Sequence, residues 1–186
     1  MKIRTVLVTG SSSGIGRAIA EHLLDIGATV IGIAREHQKF SPNADNYIPF
    51  KVDVSDLKSL SGCLNEILSL YPNLDALVSN AGYGQFDGLE NFSPEQISSF
   101  INTNLVSHMV AARIILQHFK SQERGDIVFI GSEAALQGAK KASLYSASKF
   151  GLRGFCQSIR EECAGRNVRV SMINPGMVRT QFFESL

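Results

Sequence analysis

Tyr145-Ser-Ala-Ser-Lys149 sets a phenol and an ammonium four residues apart. On a helix that spacing places both on one face, a turn apart. A free phenol has a pKa of about 10 and is a poor acid or base at neutral pH. An ammonium about 5 Å away, at an effective dielectric of about 20, favours the phenolate by about 3 kcal/mol. On that count the Tyr145 pKa falls by about two units, toward the range where general acid–base catalysis is efficient. A tyrosine and a lysine on a solvated helix surface share this spacing, so the pair needs support from the rest of the chain.

The support begins at residues 3–9 (IRTVLVT), a short β-branched run expected to be a strand buried on both faces. Gly10-Ser-Ser-Ser-Gly14-Ile-Gly16 follows, ahead of a helical pattern over residues 17–26 that Gly27 closes. Glycines between a first strand and a helix allow a tight turn. They also let the backbone approach a pyrophosphate, whose charge then meets the helix N-terminus. The spacing is G-x-x-x-G-x-G, without the Lys-Ser/Thr of a nucleoside-triphosphate loop, so a dinucleotide is the expected ligand. The second strand ends at Ala34-Arg35, with no acidic residue at that end to take the ribose hydroxyls of NAD. Arg35 suits a 2′-phosphate instead, which favours NADP(H) while leaving NAD(H) possible. Glu36 is read as solvated.

These pieces must be positioned by a sheet. Residues 28–34, 47–52, 74–79, 126–131 and 168–173 supply five further strands. Between them fall a helix over 56–70 with Ser55 or Asp56 as its cap, and a helical region from Ser93 to about Lys120. A further helix over 143–164 bears Tyr145 and Lys149. Ser93-Pro94-Glu95-Gln96 has capping-box spacing, and a break is expected near residues 102–104. This alternation predicts an α/β fold: one doubly wound parallel Rossmann sheet of about six strands, order 3-2-1-4-5-6, with helices on both faces. Residues 1–186 are expected to form a single domain carrying both the dinucleotide groove and the catalytic residues.

Bulk properties remove other classes. The net charge of +1 offers no field for nucleic acid. No apolar run reaches a membrane span, and residues 1–9 are too short for a signal peptide. Cys63, Cys156 and Cys163 are odd in number and lack a C-x-x-C, which fits reduced thiols and a cytoplasmic protein. His22, His37, His108 and His118 form no ligand-spaced cluster, so no metal is expected.

With Thr9-Gly10-x-x-x-Gly14-Ile-Gly16, Asp53, Asn80-Ala81-Gly82, Asn104, Ser132, Tyr145-x-x-x-Lys149 and Pro175-Gly176-x-Val178-x-Thr180 in this order, the chain resembles the short-chain dehydrogenase/reductase family over nearly its whole length. The resemblance implies an oxidoreductase that transfers a hydride between a nicotinamide and a carbonyl or secondary alcohol. In it Tyr145 exchanges the proton, Lys149 lowers the phenol pKa and holds the nicotinamide ribose, and Ser132 hydrogen-bonds the reacting oxygen. Asn104 places a water linking Lys149 to solvent. Asp53 with Val54 meets the adenine, and Asn80 shapes the groove with Ala81 and Gly82. Val178 and Thr180 hold the carboxamide beyond Pro175 and Gly176, while Ser12, Ser13 and Ile15 complete the glycine-loop contacts.

The chain departs from the family pattern at Ser79, the first position of the usual N-N-A-G, and at Glu133, which follows Ser132. The usual substrate-covering segment and seventh strand are not found before Leu186. Residues 168–173 are therefore expected to form an apolar edge strand, covered by a partner or by further chain if the sequence is a fragment. A small carbonyl or alcohol is the expected partner, with walls at Gln85, Phe86, Glu133, Gln137 and Phe182. Self-association as a dimer or tetramer is expected through the long helices, using Leu105, Met109, Leu152 and Phe155. The alternative is an NADP(H)-binding regulatory or scaffold protein with little turnover.

Overall fold

A computed structural model describes residues 4–178 other than 39, 41 and 43. Six strands are present among them: β1 (Thr5–Thr9), β2 (Thr29–Ala34), β3 (Tyr47–Lys51), β4 (Ala76–Ser79), β5 (Gly125–Ile130) and β6 (Val168–Ile173). All neighbours pair in parallel, in the order β3-β2-β1-β4-β5-β6. This is the expected order, with the topological reversal between β1 and β4.

The side-chain period of two divides the sheet between two cores. Leu7, Leu77, Ile127 and Phe129 point to one face, where α2 (Leu57–Leu70), α4 (Ser107–Gln122) and α5 (Ser143–Glu162) cover them. Val6, Val8, Ala76, Val78 and Ile130 point to the other face, under α1 (Gly14–Asp25) with its Ile15, Ile19, Leu23 and Leu24. Helices therefore lie on both faces.

Local chemistry sets the helix ends. Asp56 accepts from the amides of Lys58 and Ser59 at the start of α2. Ser93 and Gln96 form the reciprocal capping box that opens α3 (Pro94–Ile101). Gly27 follows α1 with φ +80°. The expected helix break is a π-helical turn, Asn102–Val106, which joins α3 to α4 without ending the helix. α1 begins three residues earlier than the periodicity predicts because glycines 14 and 16 are themselves helical. β4 begins two residues later, because the Leu74 amide closes a turn onto Tyr71 O.

Two expectations are corrected. Leu152 is fully buried in the core and has no surface to give an interface, whereas Leu105, Met109 and Phe155 are half-buried. β6 is the outermost strand and, among the described residues, pairs with β5 alone. Its side chains alternate rather than being apolar throughout: Val168 and Val170 are buried in the core, while Arg169, Ser171 and Ile173 are exposed.

Candidate active site

The carboxyl ends of β1, β2, β4, β5 and β6 lie along one edge of the sheet, beside the glycine loop. Gly10 takes φ +69°, and the amides of Gly10 and Ser11 both donate to Ile33 O at the end of β2, at 2.8 and 3.3 Å. Thr9 Oγ1 accepts from the amides of Asn80 (2.9 Å) and Ala81 (3.0 Å). Asn80 Nδ2 returns bonds to Thr9 O (3.0 Å) and Gly10 O (3.4 Å). The glycine loop and the 80–82 turn are thus one stitched unit. Gly16 packs so closely that a Cβ there would lie 2.2 Å from Gly10 O.

α1 opens on Ser13 in an extended conformation with no side-chain cap bond and no acidic residue in its first turn. Ser12 and Ile15 are half-buried and Ser13 exposed. Arg35 is exposed just beyond β2, and Glu36 beside it is exposed as expected. Asp53 is exposed and accepts from Ser55 N and Ser55 Oγ, at 2.9 and 2.7 Å, while Val54 is buried.

Tyr145 and Lys149, the expected acid–base pair, sit along the same edge. The Ser132 hydroxyl interacts with the Tyr145 phenol and favours its charged form. Ser132 Oγ also accepts from Ala134 N, and Ser132 N donates to Asn174 Oδ1, which fixes the residue at the end of β5. Tyr145 is 9% exposed, with Phe86 packed at 5.4 Å between ring centroids. Lys149 Nζ lies 5.7 Å from the Tyr145 ring centroid and donates to Ile130 O at 3.2 Å.

Lys149 is only 4% exposed, and burial pulls its pKa down to about 8. The expected depression of the Tyr145 pKa is not observed. Burial raises it, and the Ser132 hydroxyl only partly opposes the rise. The reason is desolvation: Tyr145 is only 9% exposed, and burial of a phenol disfavours its charged form.

Asn104 is wholly buried in the π-turn. Its Oδ1 accepts from Tyr83 N (3.1 Å) and its Nδ2 donates to Phe100 O (3.2 Å), leaving one lone pair and one N–H for other partners. Gly82 is kept small by the same contact, since a Cβ there would sit 2.7 Å from Asn104 Oδ1. Pro175 and Gly176 follow β6, with Pro175 O accepting from Glu133 N and the Glu133 carboxylate against Gly176. Val178 is exposed. Thr180 and Phe182 lie outside the described residues. Gln85 is half-buried, Glu133 and Gln137 exposed.

Two features escape a reading of the sequence. Ser79, where the family has asparagine, bonds His108 Nδ1 at 2.7 Å in the buried interior. Its signal was available, since His108 stands one turn after Asn104. Burial, then Lys149, drive the His108 pKa down to about 3, with the Ala81 main chain pulling the other way. The second feature is a hydrogen-bonded chain from Ser11 to Tyr47 and His37, which no local pattern announces. Among the described residues no cluster of three His, Cys, Asp or Glu side chains could hold a metal, and no helix is long and apolar enough to cross a membrane.

Comparison with known proteins agrees with this geometry. The chain is 31% identical over 191 residues to the NADP-dependent 3-hydroxy acid dehydrogenase of Schizosaccharomyces pombe, covering 96% of this chain and 73% of the relative. It is 33% identical over 187 residues to the Escherichia coli 3-oxoacyl-[acyl-carrier-protein] reductase FabG, covering 98% and 77%. The closed form of a serine dehydrogenase complexed with NADP+ superposes with TM-score 0.90 at 28% identity, covering 97% of this chain and 75% of that one. The short chain dehydrogenase family model matches residues 4–186. With its glycine loop, parallel sheet and Ser132–Tyr145–Lys149 grouping, this chain belongs to the short-chain dehydrogenase/reductase family of oxidoreductases.

Proposed function

We propose that the chain is an NADP(H)-dependent oxidoreductase that moves a hydride between the nicotinamide and a carbonyl or secondary alcohol. The observation that carries this reading is the placement of the buried Lys149 ammonium 5.7 Å from the ring of the buried Tyr145, tied to Ile130 O at the end of the strand that leads to Ser132.

The residues present suit a dinucleotide. Helix geometry leaves the amides of residues 14–16 without an intrahelical acceptor, and no carboxylate in the first turn opposes an anion there. Gly10, Ser12, Ser13, Gly14, Ile15 and Gly16 would hold the pyrophosphate, and Arg35 the 2′-phosphate. Asp53 and Val54 would meet the adenine. Asn80, Ala81 and Gly82 would form the groove floor, with Pro175, Gly176, Val178 and Thr180 at the carboxamide. Bound NADPH supplies the hydride. Ser132 hydrogen-bonds the reacting oxygen and Tyr145 gives it a proton. Lys149 stabilises the phenolate left behind, and Asn104 offers its remaining lone pair to a water on the path back to solvent. The NADP-dependent relative and the NADP+ complex support the choice of cofactor.

In this reading residues 1–186 act as a single domain carrying both groove and acid–base pair. The protein works in the cytoplasm and self-associates through the π-turn, α4 and α5, where Leu105, Met109 and Phe155 keep partial exposure. A regulatory scaffold would have no use for a buried lysine beside a buried phenol.

The test is NADPH consumption at 340 nm over a panel of carbonyls, with Tyr145→Phe beside the native protein. The variant should lose about 10²–10⁴-fold in kcat with NADPH binding retained. A near-normal kcat in the variant, or tight NADPH binding with no turnover of any carbonyl, would overturn the assignment.

A further inference from the structure

The glycine loop is joined to the segment after β2 by side chains as well as by main chain. Ser11 Oγ, fully buried, lies 3.0 Å from Tyr47 Oη at the start of β3. Tyr47 Oη lies 3.1 Å from His37 Nδ1, and His37 Nε2 lies 2.9 Å from Phe50 O. The last acceptor orients the whole chain. A carbonyl can only accept, so in the neutral imidazole Nε2 carries the proton and Nδ1 accepts from Tyr47. With its O–H donated to His37, the phenol oxygen accepts from Ser11.

Room for this chain is made by Gly32 in the middle of β2. A Cβ at that position would lie 2.4 Å from Tyr47 Oη and 2.5 Å from Ser11 Oγ. Phe40 packs edge-on against the Tyr47 ring at 5.0 Å and holds it in place. The acid–base pair is not involved. What the chain does reach is the stretch 35–38, because His37 stands two residues beyond Arg35 and is anchored to β3 at both ring nitrogens.

We propose that Ser11, Tyr47 and His37 are positioning residues for cofactor selection: they hold the Arg35 segment in register with the glycine loop, so that a 2′-phosphate meets a preorganised guanidinium. The inference rests on the NADP(H) reading above. Anchoring the segment spares the ordering that binding a 2′-phosphate otherwise demands. NAD(H), which has no 2′-phosphate, gains nothing from it.

Tyr47→Phe keeps the ring and its packing and removes only the bridging hydroxyl. Dissociation constants for NADPH and NADH, read from nicotinamide fluorescence, and kcat with KM for the same cofactors form the test. NADPH should bind about fivefold more weakly. NADH affinity and kcat should stay within about twofold. His37→Leu should match it, and the double variant should be no worse than either single change, because both cut the same chain. His37→Gln, which keeps an acceptor, should recover part of the loss. Equal weakening of NADPH and NADH, or none of either with both variants folded, overturns the inference while the cofactor reading stands. A native protein that binds NADH as tightly as NADPH overturns the reading itself, and the inference with it.

Discussion

His108 and Ser79, 29 residues apart in the chain, share a buried 2.7 Å hydrogen bond within electrostatic reach of Lys149. The imidazole is 1% exposed, and its Nε2 has no hydrogen-bond partner among the described residues. Burial, then the neighbouring Lys149, hold it neutral, with a pKa of about 3 against an ordinary 6.5.

That depression makes His108 an acid-labile point. The unfolded chain binds a proton at His108 below about pH 6.5, whereas the folded protein resists it down to about pH 3. The stability associated with a neutral His108 is therefore present above pH 6.5 and lost as pH falls toward 3. Urea unfolding of His108→Leu across pH 7 to 4 should show a shallower acid decline than the native protein, by on the order of a few kcal/mol. Parallel declines would rule out this role.

Lys149 has the opposite bearing on the fold from the one it has on the proposed chemistry. Its pKa falls from 10.5 to about 8 on burial, so at pH 7 the folded protein carries the cost of a desolvated ammonium. Between pH 8 and 10.5 the unfolded chain holds more protons at this site, and stability from this group rises with pH there. Lys149→Met should stabilise the protein at pH 7 by roughly 1–3 kcal/mol while abolishing turnover. The gain in Tm should shrink toward pH 10.

Gly16 and Gly62 should respond to alanine in opposite senses. A Cβ at Gly16 would meet Gly10 O at 2.2 Å and Asn80 Nδ2 at 2.4 Å, both already bonded within the glycine-loop unit. Gly16→Ala should cost about 1–3 kcal/mol and weaken dinucleotide binding with it. Gly62 lies inside α2 with nothing within 4 Å of its Cβ position. Gly62→Ala should add up to about 1 kcal/mol, seen as a higher urea midpoint.

Asp126 ties together the amino ends of β1, β5 and β6. Its carboxylate receives Arg4 at 2.6 Å and Arg169 at 2.5 and 2.9 Å. Partial burial of Asp126 raises its pKa, but the Arg169 and Arg4 bonds outweigh that and bring it below the usual carboxylate range. Its contribution is therefore full above about pH 4 and fades as pH falls through the folded value. Both guanidiniums are well exposed, so Asp126→Asn should cost only about 1 kcal/mol. The difference from the native protein should narrow in 0.5 M salt.

The sequence by itself determined the alternation of strands and helices, the glycine loop and the alignment of Tyr145 with Lys149, and the strand order only as the usual one for that alternation. The first three follow from rules acting over a few residues: the period of two in Leu7 against Val6 and Val8, the cap at Ser93, the four-residue step of a helix. Tertiary structure alone decided how charged that pair is. Whether an ammonium lowers a phenol's pKa depends on how deeply both are desolvated, and at Tyr145 burial prevails. It alone also joined Ser79 to His108 and Ser11 to Tyr47, since a hydrogen bond across 29 or 36 residues exists only once the crossovers have packed.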